Sequence, residues 1–176
     1  MGKRYKTDIL ALLGRCSFAL LLGVFVLLSG CGSGSGGVSG TTGSGTVGTF
    51  NPETAKSDVF NSVNNERAKN GLGSLERHSG LDTVAHDHSL DMQSMSNLSH
   101  TGSDGSGVGE RISRAGISYS TAGENVARGQ TSAQQVMNSW MDSPGHRANI
   151  LNPAYTHIGI GVVTPGYWWT QVFIGS

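Results

Sequence analysis

His157-Ile-Gly-Ile-Gly-Val-Val163, then Thr164-Pro-Gly166, then Tyr167-Trp-Trp-Thr-Gln-Val-Phe-Ile174: this tail decides the fold. Two β-rich runs joined by a short Pro-Gly turn predict an antiparallel hairpin. Trp168 and Trp169 alternate along its second strand, so one is expected in the core and the other toward a groove or solvent. Upstream of the tail, the clear periodicity is helical. Helices first and a hairpin last predict an α+β domain with helices packed on an antiparallel sheet.

Asn51-Pro52-Glu53 carries a helix start, Asn as N-cap and Pro in the first turn. Val59, Phe60, Val63 and Arg67 follow at helical spacing, and Asn70-Gly71 supplies the stop. A second helix is expected from Ser79 to Asn97, with Leu81, Val84, Ala85, His88, Met92 and Met95 on one stripe. Residues 101–109 are rich in Gly and Ser and read as a loop. A short helix is expected over Val108–Ala115, and a longer one over Thr131–Met141 with Ala133, Val136, Met137 and Trp140 facing inward. Ser143-Pro144 restarts a further short helix.

The chain has 176 residues, 27 of them Gly, enough for one domain with some chain to spare. Two Cys exclude a disulfide scaffold and a Cys-type structural zinc site. The N-terminus is cationic at Lys3, Arg4 and Lys6, and an uncharged apolar run follows over Phe18–Leu28. That is a secretory signal pattern, and the run is too short to span a bilayer, which takes roughly 20 residues. Leu28-Ser-Gly-Cys31 resembles a bacterial lipobox. The resemblance implies cleavage before Cys31, lipid on that residue, and a membrane partner through the lipid. Gly32 follows, where Asp usually marks inner-membrane retention in Gram-negative lipoproteins, so an outer-membrane address is favoured if the source has one. Four of the 12 basic residues but one of the 12 acidic ones precede Cys31. The mature chain is therefore mildly acidic, which argues against a nucleic-acid partner. Residues 32–49 are almost only Gly, Ser, Thr and Val and read as a flexible tether of about 25 Å reach. Its Gly32-x-Gly-x-x-Gly37 string lacks a preceding strand and is no dinucleotide site. The expected organisation is a signal peptide over 1–30, a lipidated Cys with tether over 31–50, and one domain over 51–176.

Residues of catalytic type gather at His100, Glu124 and His146. Around them stand Ser99-His-Thr-Gly102, Gly123-Glu-Asn125, Ser143-Pro-Gly-His-Arg147 with Asn149-Ile-Leu151, and Thr170-Gln-Val-Phe173. In this order they closely resemble the bacterial branch of the CAP superfamily of cysteine-rich secretory, antigen 5 and pathogenesis-related class-1 proteins. The resemblance covers about residues 55–176. It implies a three-layer α-β-α sandwich with a central antiparallel sheet. It also implies a cleft where two His and two Glu hold a divalent metal, usually zinc. The first His falls on His100 and the first Glu on Glu124. The second pair does not carry over, because Ser143 and Trp168 stand at those places. His146 of the bacterial motif remains, so the implied set is His100, Glu124 and His146, suited to zinc with one open position or to a polar cleft without metal.

Each residue has a second reading. His100 suits a cap on the end of the second helix, and Glu124 a loop buttress. His146, near a helix start, is expected to stay neutral. Arg147 and Asn149 suit a hydrogen-bonded corner. His86 and His88 lie two apart on a helix and form no ligand pair, one partly buried and one solvated. Two functions stay open beside a plain envelope scaffold without a ligand. One is an envelope-anchored binding module for a lipid, sterol-like, glycan or cell-wall ligand, or a metal. The other is a metal-dependent hydrolase, such as a protease, with zinc on His100 and His146 and Glu124 as base. Catalysis is left undecided. The domain is expected to be monomeric.

Overall fold

A computed structural model describes residues 49–176. The expected signal peptide, Cys31 and nearly all of the expected tether lie outside the described residues. Five helices are described: α1 (Pro52–Lys69), α2 (Ser79–Met95), α3 (Val108–Arg114), α4 (Ala133–Asp142) and α5 (Pro144–Ile150). Four strands form one sheet: β1 (Glu76–Arg77), β2 (Thr121–Arg128), β3 (His157–Val163) and β4 (Trp168–Gly175). The strand order is β1-β3-β4-β2. The hairpin β3–β4 and the pair β2–β4 are antiparallel, and the two-residue β1 adds a short parallel edge on β3. Among the described residues no helix is long and apolar enough to cross a membrane.

Local chemistry sets the ends of these elements. Asn51 Oδ1 accepts from the Thr54 amide at 3.0 Å, and Pro52 sits in the first turn of α1. The Ser132 side chain caps α4 by accepting from the Gln135 amide. The second helix stops at Met95, because Ser96 turns left-handed at φ 52° and closes it. The hairpin turn needs Gly166, whose φ of 97° lies where a side chain is strained.

The sheet is covered on both faces, which makes the three-layer sandwich. On one face α1, α4 and α5 pack Val59, Val63, Val136, Trp140 and Ile150 against Ile158, Ile160, Trp169 and Phe173. On the other, α2 and α3 pack Leu81, Val84, Ala85 and Ile112 against Val172 and Ile174. β3 shows how α2 fits. A Cβ on Gly159 would lie 2.1 Å from the Leu81 carbonyl carbon, and one on Gly161 2.4 Å from that of Ala85. The glycines alternate with Ile158, Ile160 and Val162, so one face of the strand is bare backbone under α2 and the other is bulky.

Both Trp168 and Trp169 are buried, contrary to the expectation of one exposed ring. Alternation puts them on opposite faces, but β4 is an inner strand with a layer on each side. Trp169 joins the α1/α4 core and donates Nε1–H to the Gln130 carbonyl at 2.9 Å. Trp168 packs on the α2 side under the Arg128 guanidinium, 4.1 Å from the ring centre.

Arg67 is buried, without an acidic partner among the described residues. Its guanidinium donates to the carbonyls of Gly73, Ile150, Asn152 and Tyr155 at 2.8–3.3 Å. These bonds tie the end of α1 to the end of α5 and the turn after it.

Candidate functional site

β2 is an edge strand, and its alternation sends successive side chains into different layers. Glu124 points toward the α2/α3 side and Asn125 toward α4 and α5. Glu124 therefore lies on a strand, not in the loop that the sequence suggested. Gly123 precedes it, and a Cβ there would meet the Tyr155 hydroxyl and Asn149, so a bare backbone lets both close on the strand.

The Glu124 side chain is 2% exposed. One oxygen accepts from His100 Nδ1–H at 2.9 Å. The other accepts from an Arg111 terminal nitrogen at 2.6 Å. Arg111 also donates to the carbonyls of Ser106 and His100, so one guanidinium on α3 holds both the carboxylate and the loop carrying His100. His100 does not cap the second helix, which ends five residues earlier. It sits in the loop after it, with its side chain 59% exposed. Because Nδ1 carries the proton given to Glu124, Nε2 is the free nitrogen. The hydrogen bond to Glu124 holds the imidazole above its ordinary pKa range, against a smaller effect of burial.

Behind this pair stands His88, the buried member of the two α2 histidines; His86 is exposed. His88 Nε2–H donates to the Ser99 carbonyl at 2.9 Å and lies 3.7 Å from Glu124. Its Nδ1 is buried with no partner among the described residues. Burial pushes its pKa down, so the ring stays neutral.

His146 is half-buried on α5. Its pKa is lowered as expected, but the larger cause is burial, followed by the positive charge of His100. A ladder of side-chain amides fixes its position. Asn125 Nδ2 donates to the His146 carbonyl and to Gln171 Oε1, both at 3.1 Å. Asn149 Nδ2 donates to the Glu124 carbonyl at 3.0 Å and to Asn125 Oδ1 at 2.8 Å. The corner expected at Arg147 and Asn149 is present, since Arg147 Nε also donates to the Met141 carbonyl. The structure thus joins His100 and Glu124 directly and sets His146 near enough to feel His100's charge. Arg111, His88 and Gln171 complete the site without having been identified as site residues from the sequence.

Glu124 does not fit as a direct ligand in the zinc set implied by the family resemblance. Among the described residues no group of three or more His, Cys, Asp or Glu is placed to hold a metal ion. Both carboxylate oxygens are already engaged, one by His100 Nδ1 and one by Arg111, so Glu124 orients His100 and leaves only Nε2 of that ring free. A guanidinium 2.6 Å from the carboxylate would repel a dication there. What the arrangement offers is a protonatable imidazole on a fixed counter-ion, beside a neutral imidazole.

Known proteins give the context. Residues 60–174 match the CAP family, described as the cysteine-rich secretory protein family. YkwD of Bacillus subtilis (strain 168), an uncharacterized protein, is 43% identical over 118 residues, 67% of this chain and 46% of that protein. YlbC of the same organism, an uncharacterized membrane protein, is 33% identical over 121 residues, 69% of this chain and 34% of that one. The chain therefore spans less than half the length of these curated relatives. An extracellular protein containing a SCP domain from Bacillus anthracis superposes with a TM-score of 0.68 at 30% identity, over 71% of this chain and 41% of that one. An outer surface protein from Borrelia burgdorferi shares the fold at a TM-score of 0.65 and 22% identity, over 72% of this chain and 98% of that one. The extent of the family match, together with the three-layer sandwich, shows that this chain belongs to the CAP (cysteine-rich secretory protein) family.

Proposed function

We propose that this chain is an envelope-anchored binding module whose His100–His146 face receives an anionic group of its ligand. The single observation that carries this reading is the locked carboxylate: Glu124 is buried, bonded on one oxygen to His100 and on the other to Arg111. A group so held is a positioning residue, which orients His100 and favours its charged form. His100 Nε2–H⁺ then donates to an anion, and neutral His146 accepts from any hydroxyl beside it. The lipobox at Cys31 supports anchoring, and the solved SCP-domain relative described as extracellular supports an extracytoplasmic address. An acidic mature chain and a polar site argue against nucleic acid.

One observation favours a second reading, hydrolysis with His100 as base. The Glu124–His100 bond is the orientation a general base requires. That reading lacks an identified nucleophile, and it needs His100 deprotonated, which the Glu124 bond opposes.

The test follows the histidine ring signals of the full chain in detergent during titration with inorganic phosphate, then with zinc. Saturable phosphate shifts at His100 and His146, lost in His100→Ala, are expected. Micromolar zinc binding that disappears in both His100→Ala and His146→Ala would overturn the binding reading in favour of a metal centre. Absence of any phosphate shift would overturn it as well.

A further inference from the structure

A groove of about 510 Å³ runs between α1 and α4 and ends at α5. On α1 it is walled by positions 62, 65, 66 and 69, and on α4 by 134, 137, 138 and 141, one face of each helix. We propose that this groove binds a saccharide that carries a carboxylate. It does not depend on the His100–His146 reading, because neither imidazole nor Glu124 lines the groove, and Arg147 is the one residue it shares with the corner beside His146.

The chemistry is in the walls. Gln134 Nε2 donates to Asn138 Oδ1 at 2.7 Å. The pair therefore presents one free acceptor, Gln134 Oε1, beside one free donor, the Asn138 amino group. Across from it Asn65 is exposed and makes no side-chain hydrogen bond among the described residues. A donor and an acceptor side by side match the vicinal hydroxyls of a pyranose. They match an extended peptide less well, because its N–H and C=O groups point out of opposite edges. Met141 and Leu151, both half-buried, give the groove an apolar floor that suits the C–H face of a sugar ring. At the α5 end, Arg147 spends Nε on the Met141 carbonyl, and its two terminal nitrogens have no partner among the described residues. A guanidinium so fixed presents a fork for a carboxylate. The other cation, Lys69, is already paired with Glu66 at 2.7 Å. An acyl chain is disfavoured, since it would strip water from three amides and replace none of their hydrogen bonds.

The test uses the ¹⁵N-labelled full chain in detergent and the disaccharide N-acetylglucosaminyl-N-acetylmuramic acid. Saturable shifts of the Asn65 and Asn138 side-chain amides are expected, with the His100 ring unmoved. Reducing the sugar carboxyl to an alcohol, or the exposed Asn138→Ala substitution, is expected to weaken binding about tenfold while the rest of the spectrum stays folded. No saturable shift at the amides, equal binding of the reduced sugar, or stronger shifts with an acidic tripeptide or a lysolipid would overturn the proposal.

Discussion

The two faces of the sheet are held by different physics. The α1/α4/α5 face is thick and apolar, with Trp140, Trp169 and Phe173 interlocked and the buried Arg67 satisfied entirely by carbonyls. The α2/α3 face is thin. It brings α2 down onto two glycines and carries the Glu124–Arg111–His100 cluster at its edge. The first face holds the larger buried apolar cluster, and the second carries the buried carboxylate with its two partners. The amide ladder of Asn125, Gln171 and Asn149 connects them, so the thick layer positions His146 beside the polar cluster of the thin one.

Substitutions can break this contrast. Trp169→Ala empties the thick core and loses the bond to Gln130, and about 3–5 kcal/mol of stability is expected to go, read from urea unfolding. Gly161→Ala attacks the thin side. The new Cβ meets backbone of α2, which cannot swing away as a side chain would. A loss of about 1–3 kcal/mol is expected, with His100 and Glu124 signals perturbed through α2. A loss as large as that of Trp169→Ala would erase the distinction between the faces.

Acid sharpens the contrast more gently. The folded-state pKa of His88 is pushed below its ordinary value of 6.5, so the unfolded chain binds that proton first. Stability contributed by neutral His88 is lost as pH falls through 6.5 and below. His146 acts in the same direction. His100 acts oppositely: its raised pKa gives a contribution fully present below 6.5 and lost as pH rises through the folded value. His88→Asn is therefore expected to flatten the acid-side fall in the urea midpoint between about pH 7 and 5, and His100→Ala to steepen it. Equal slopes in both variants would contradict the assignment of neutral and charged rings.

Much of the fold could be read from the residues. The Thr164-Pro-Gly turn marked the hairpin, Asn51-Pro52 the start of α1, and Gly71 its end. The inward stripe of α4 was legible because Ala133, Val136, Met137 and Trp140 repeat at helical spacing. β2 was not, because Thr121-Ala-Gly-Glu-Asn-Val-Ala-Arg128 places a carboxylate and an amide where alternation expects apolar groups. Its pairing with β4 and the ladder beneath it make it a strand. His100, Glu124 and His146 could be singled out by type and motif. Their arrangement could not, since Arg111 lies on a separate short helix and nothing local marks it as the partner of Glu124. With Ser143 and Trp168 standing where the family's second pair would be, the residues alone suited either zinc or a polar cleft. Once Arg111 is seen on the carboxylate, Glu124 becomes a counter-ion.

That role of Glu124 is the claim on which the site rests. The most direct test is the pH titration of the His100 ring by NMR, in the wild-type chain and in Glu124→Gln. If Glu124 holds His100 charged, the midpoint lies above 6.5 in the wild type and drops in the variant. An unchanged midpoint would show that His100 does not depend on Glu124, and would contradict the account.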